Sequence, residues 1–201
     1  MKDDRWRTDR DCDTAFITIG SNRNAKSERS LHDYYSTNPL AITLLDKYNL
    51  LDKNTLYWET ACGSGALSKE LIKLGYNVVS SDKYKHGYGD TGVDFFNCKK
   101  TFPGNTITNP PFNQMNEWLQ HTLQITENKA YIFGRIQLVE SKKRWETVFK
   151  DNPPAFICPF VKRIQCYKND DLSEKRSPLC YAWFIWDNKS NSKETKVKWL
   201  I

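Results

Sequence analysis

Nowhere do the 201 residues stay apolar for the length that a bilayer crossing needs, and the opening Met1-Lys2-Asp3-Asp4-Arg5-Trp6-Arg7 is too polar for a secretory leader. No membrane association is expected, and a cytoplasmic setting follows from that reading. The six cysteines (Cys12, Cys62, Cys98, Cys158, Cys166 and Cys180) form no C-x-x-C pair, and His32, His86 and His121 show neither ligand nor triad spacing. Reduced packing thiols are expected and a metal centre is not. A G-x-S-x-G elbow is missing, which removes support for a serine hydrolase, and no G-x-x-x-x-G-K-[ST] stretch cradles a triphosphate.

What is present is positive charge and flat side chains. The net charge is +6, with an isoelectric point near 8.9, and seven Trp, ten Tyr and ten Phe are spread along the chain. The charge favours a polyanionic partner, and some of the rings are available to stack on bases, although most belong in a core. The length suits one domain with its own core. Residues 1–30 read as a polar, basic arm in which Arg5, Arg7, Arg10, Arg23, Lys26 and Arg29 either touch phosphates or remain solvated. Residues 31–188 form the single domain, and 189–201 read as a polar, frayed tail.

Within that domain strands alternate with helices, which predicts an α/β fold: a mainly parallel sheet covered on both faces and ending in an antiparallel pair of strands. Asp33-Tyr34-Tyr35-Ser36-Thr37-Asn38-Pro39 leads into a helix over 40–48, with good capping residues and a Pro in the first turn. A strand over 55–60 ends in Ala61-Cys62-Gly63-Ser64-Gly65, and a helix over 66–74 follows. Two glycines one residue apart between strand and helix let the backbone approach a ligand closely. The strand 77–82 then delivers Asp82, at a distance from the glycines suited to holding ribose hydroxyls. The glycine pattern is not a full G-x-G-x-x-G, which argues for a nucleoside without phosphates over a dinucleotide. Asp94-Phe95-Phe96 offers an acceptor for an adenine amine and a ring to cover the base, or simply a turn entering core aromatics. Helices are predicted over 116–125 and 141–150, and strands over 130–134, 155–158 and 179–186, with the basic residues Lys162, Arg163, Lys168, Lys175 and Arg176 in the last connection.

The stretch that organises the rest is Thr106-Ile107-Thr108-Asn109-Pro110-Pro111-Phe112. Proline cannot donate to a sheet ladder and holds its predecessor extended, so the strand ends at Asn109 and leaves that side chain at a strand mouth. The same letters also serve an ordinary turn. The chemistry they suit is methyl transfer to a planar amine. The Asn109 side-chain oxygen and the Pro110 carbonyl each accept one amine hydrogen and free the nitrogen lone pair, while Phe112 stacks on a flipped base. Asn152-Pro153-Pro154-Ala155-Phe156 repeats the composition behind a predicted helix, with its aromatic displaced by one residue, and reads as a helix stop.

Taken in order, these motifs make the chain resemble the Rossmann-like, S-adenosylmethionine-dependent DNA adenine-N6 methyltransferases, and more narrowly the small ones of phages and mobile elements. The resemblance runs from about Glu28 to Trp186 and includes Tyr181-Ala182-Trp183-Phe184-Ile185-Trp186. It implies a cofactor, S-adenosylmethionine, held at its methionine end by Tyr35, Ser36 and Thr37 and approached by Glu59, Ala61, Cys62, Gly63 and Gly65. Asp82 would take the ribose and Asp94 with Phe95 the adenine. Asn109, Pro110, Pro111 and Phe112 would be the catalytic loop, with direct in-line transfer and double-stranded DNA as the partner. An attack through a cytosine ring carbon would need a Pro-Cys nucleophile loop, which the chain lacks. Many methyltransferases of this kind carry a separate target-recognition domain, for which there is little room here. The sequence leaves the oligomeric state open, and RNA adenine, another planar amine and a non-catalytic binding module are the competing functions.

Overall fold

The computed structural model describes residues 34–168, 170–171 and 179–201. The basic arm over 1–30, and Lys175 and Arg176 of the basic connection, lie outside the described residues. An eight-stranded sheet dominates, built from β2 (Leu56–Glu59), β3 (Asn77–Asp82), β4 (Asp90–Thr91), β5 (Asn105–Thr108), β6 (Lys129–Arg135), β7 (Phe156–Pro159), β9 (Tyr181–Asp187) and β10 (Lys196–Val197). Their spatial order is β10-β7-β9-β6-β5-β2-β3-β4. The run from β4 to β6 is parallel, and β9 enters antiparallel between β6 and β7. The expected antiparallel pair is therefore present, with its last member threaded into the sheet rather than added at its edge.

Period-two alternation sorts the buried residues onto two faces. Along β6, Tyr131 and Phe133 join one core while Ala130 and Ile132 join the other; along β9, Trp183 and Ile185 oppose Phe184 and Trp186 in the same way. The first face is covered by α1 (Leu40–Lys47) and α2 (Ala66–Lys73), which bring Ile42, Leu45, Leu67 and Leu71. On the second face α3 (Met115–Ile125) brings Met115 and Leu119. The buried indoles keep their donors paired, Trp183 Nε1 to the Ala41 carbonyl at 3.0 Å and Trp186 Nε1 to that of Asn152 at 2.9 Å. All four residues of β5 are buried, as expected of a strand covered on both faces.

Three local features differ from the sequence expectation. The helix predicted over 141–150 is a short α4 (Lys142–Arg144) that widens into a π-helical turn, Trp145–Phe149. Arg144 is drawn inward at this point, its guanidinium bonding the carbonyls of Leu138, Gln137 and Glu140. The Asn152-Pro153-Pro154 stretch follows directly and does end the helix, before β7. Tyr35–Thr37, in the stretch expected only to lead into the first helix, is a strand, β1, paired antiparallel with β8 (Cys166–Lys168) in a separate two-stranded sheet. The supposedly frayed tail supplies β10, parallel to β7, and Leu200, only 1% exposed.

The last difference is testable by truncating one side chain. Leu200→Ala is expected to lower the free energy of unfolding by roughly 2–5 kcal/mol, the range for emptying a buried leucine site, as read by urea denaturation. A change below about 0.5 kcal/mol, typical of surface positions, would return this segment to the status of a loose end.

Candidate active site

In an open parallel sheet, ligands sit beyond the carboxyl ends of the strands where the strand order reverses. Here that place lies between β2 and β5, which pair in parallel with Glu59 opposite Ile107. The turn after β2 and the loop after β5 consequently open into one cavity of about 400 Å³. Of the residues singled out from the sequence, Tyr35, Ser36, Thr37, Glu59, Ala61, Cys62, Asp82, Asp94, Phe95, Asn109, Pro110, Pro111 and Phe112 all line it.

Gly63 and Gly65 are not on its wall. Their left-handed φ values of 53° and 82° shape the turn, and the groups that come close are the chain's own rings. A Cβ on Gly63 would lie 2.2 Å from the Tyr34 ring, and one on Gly65 would lie 2.3 Å from that of Tyr88. The close approach that the glycines permit is thus made by aromatic side chains. Gly63 contributes its N–H, which donates to Asp82 Oδ2 at 2.8 Å; Asp82 Oδ1 accepts from Tyr84 N at 2.8 Å. With both oxygens anchored on backbone donors, the carboxylate is fixed at the end of β3 with lone pairs left over for hydroxyls.

Asp94 is held differently. Its Oδ1 accepts from Phe96 N at 3.1 Å, and its Oδ2 pairs with Lys83 Nζ at 2.7 Å, an ammonium that holds the carboxyl below its ordinary range. Phe95, next to it, is 1% exposed and lies nearly parallel to Trp118, with 4.7 Å between ring centroids. Together they form an aromatic floor in which Phe96 also meets Trp118, edge to face at 5.1 Å. The sequence reading quoted Phe96 within Asp94-Phe95-Phe96 but assigned the adenine to Asp94 and Phe95 alone; it gave Trp118 no role and missed Tyr34, Lys83, Tyr84 and His86 on the cavity wall. Tyr34 stacks on His86 at 4.2 Å, and its hydroxyl accepts from Ser64 N at 3.0 Å and bonds Asp170.

Glu59 is 2% exposed, and its Oε2 accepts from both the N–H and the hydroxyl of Ser68 in α2. It therefore caps the helix from below, with Ser68 Oγ also 2.6 Å from Ser80 Oγ. Burial pushes its carboxyl from an ordinary 4.5 up to about 8 against the two Ser68 hydrogen bonds. Cys62, beside it, is pushed up to about 12 by burial and the neighbouring Glu59 and Asp82, so it stays a thiol at neutral pH and is no nucleophile.

At the other end of the cavity, Asn109 Nδ2 donates to the Tyr35 carbonyl at 3.1 Å and to Thr37 Oγ1 at 2.8 Å. Its Oδ1 is buried and has no hydrogen-bond partner. An orphaned acceptor of this kind is costly unless something donates to it, and it sits among residues that line the cavity. Phe112 packs against Tyr35 at 5.6 Å and under the Arg135 guanidinium at 5.0 Å. A carboxylate set, an aromatic floor and a waiting amide oxygen fit a nucleoside at one end and an amino group at the other.

The Glu59 shift gives a pH signature. Between pH 4.5 and about 8 the folded chain holds a proton at Glu59 that the unfolded chain has released. The stability tied to this group is then full below pH 4.5 and is lost as pH rises through about 8. Glu59→Gln should remove that slope, so the stability difference between variant and wild type, followed by denaturation across this window, should move in favour of the variant as pH rises. A pH-independent difference would mean that Glu59 is ionised in the folded chain.

No protein-family model and no curated protein sequence matches the chain. Solved structures do. A protein from Pyrococcus horikoshii assigned as an RNA methyltransferase superposes with a TM-score of 0.54 and 14% identity, over 74% of this chain and 81% of its own. The modification subunit of an assigned type I restriction enzyme from Vibrio vulnificus YJ016 gives a TM-score of 0.57 and 11% identity, over 88% of this chain, which spans 48% of that protein. A dimethyladenosine transferase from Plasmodium falciparum gives 0.52 and 11%, over 77% and 62%. What these likenesses carry at such identities is the architecture: the chain has the Rossmann-like fold of the methyltransferases.

Proposed function

We propose that the chain transfers a methyl group from S-adenosylmethionine to the N6 amine of an adenine flipped out of double-stranded DNA. The observation that carries this reading is the unpartnered Asn109 Oδ1. An exocyclic amine is a poor nucleophile because its lone pair is delocalised into the ring. An acceptor fixed in place, with the Pro110 carbonyl as a second, draws on the amine hydrogens and turns that lone pair outward. Positioning of this kind supplies acceleration without a covalent enzyme intermediate, in keeping with a Cys62 that stays protonated.

The residues that would hold the cofactor are Asp82 for the ribose, Asp94 with Phe95 and Phe96 for the adenine, and the wall at Tyr35 and Ser36 with Glu59 toward the methionine end. Bound there, S-adenosylmethionine supplies an electrophilic methyl on a sulfonium. Phe112 offers a ring to the flipped base, and exposed Arg135 above it offers a cation to the backbone phosphates. A net charge of +6 supports a polyanionic partner. One solved structure of this fold is named for RNA methylation and another as the modification subunit of a restriction enzyme, so adenine in RNA is the second reading to test.

The experiment offers DNA, RNA and protein pools with methyl-labelled cofactor, followed by digestion and mass spectrometry of the product. N6-methyladenine in DNA is expected; label in RNA alone would replace the substrate, and label in neither would refute the reading. Asn109→Ala is expected to abolish turnover with cofactor affinity nearly intact by calorimetry, and Asp82→Ala to weaken that affinity. Full turnover in the Asn109 variant would remove the role assigned to it.

A further inference from the structure

An asparagine amide can lie in two orientations a half-turn apart, which exchange its oxygen and its nitrogen. At Asn109 the choice is made by β1. The Tyr35 carbonyl can only accept, so the atom 3.1 Å from it has to be Nδ2, and the same nitrogen reaches Thr37 Oγ1 at 2.8 Å. Nδ2 is thereby held within the chain by two acceptors, and Oδ1 is left buried without a partner. Thr37 is 3% exposed. It is fixed in turn by β8, where Thr37 lies opposite Cys166 in the antiparallel register.

The geometry points to Thr37 as a positioning residue that acts through Asn109, locking the side-chain amide with its oxygen toward the acceptor amine while the β1–β8 pair holds Thr37 in place. In this assignment the Thr37 hydroxyl serves the catalytic loop and not the methionine end of a cofactor. The lock itself is a matter of geometry; its consequence for turnover rests on the proposed transfer to an amine. An amide whose hydrogens are both spent cannot donate to a substrate. The group it faces has to bring its own hydrogens.

The first readout needs no turnover. In ¹H–¹⁵N spectra of the labelled chain, the Asn109 side-chain amide pair is identified by its disappearance in Asn109→Ala, and both protons should exchange slowly with solvent. Thr37→Val keeps the shape of the side chain and removes Oγ1, and should make one proton of the pair exchange at least about tenfold faster; Thr37→Ser should restore protection. The second readout is kinetic, with labelled cofactor and an adenine-containing duplex. Thr37→Val should lower kcat by roughly ten- to a hundredfold with the cofactor KM within about twofold, and Thr37→Ser should recover most of it. Fast exchange in the wild type, or unaltered exchange in Thr37→Val, would overturn the lock. A raised cofactor KM with kcat intact would overturn it too, and make Thr37 a cofactor contact. Should the wild-type chain methylate no nucleic acid, the proposed function fails, while the exchange measurement still decides the lock.

Discussion

Parallel pairing of β2 with β5 is the constraint from which the site follows. Neither strand carries the whole chemistry, because β2 leads into the glycine turn and β5 leads into Asn109. Aligning Glu59 with Ile107 brings those two ends to the same edge of the sheet, with the strand order running away on either side. The prolines after Asn109 cannot extend the ladder, so the backbone leaves the sheet there and the amide stays at the mouth of the cavity. A one-residue slip of β5 would turn Ile107 out of its core and carry Asn109 with it, which is why burial on both faces of β5 also fixes the site.

Once the strands are aligned, the polar groups around the cavity are satisfied one after another until a single acceptor is conspicuous. Asp82 is fastened to two backbone donors, Asp94 to Lys83 and Phe96, and Glu59 to Ser68. Glu59 is the one in tension, since burial keeps it protonated through neutral pH while it caps α2. Asn109 differs from all three because its donors are used and its acceptor is not. A buried carbonyl oxygen with nothing donating to it is what a binding site for an N–H group looks like before the group arrives.

Much of this was legible in the sequence where a local rule acts over a few residues. Pro110-Pro111 marks the end of β5, Gly63 and Gly65 mark the turn before α2, and period-two alternation marks β6 and β9. The rest depends on partners far apart in the chain. β1 and β8 are three residues each and carry no periodic signal, yet Tyr35 meets Lys168 across 133 positions. β10 is two residues long, and its place at the sheet edge comes from pairing with β7 and from burial of Leu200. Aromatics such as Trp118 and Phe96 look the same in sequence whether they fill a core or floor a cavity. The glycines illustrate the same ambiguity: they were read as room for a ligand, and the space above them is taken by Tyr34 and Tyr88.

The central claim is that Asn109 Oδ1 receives the amino group of an adenine. The most direct measurement is a crystal structure of the chain with the demethylated cofactor and an adenine-containing duplex. The account predicts one adenine out of the stack, its N6 roughly 2.7–3.2 Å from Asn109 Oδ1, with Nδ2 still on Tyr35 and Thr37. A duplex bound with every base stacked, or an Asn109 oxygen still without a donor when the cavity is filled, would contradict it.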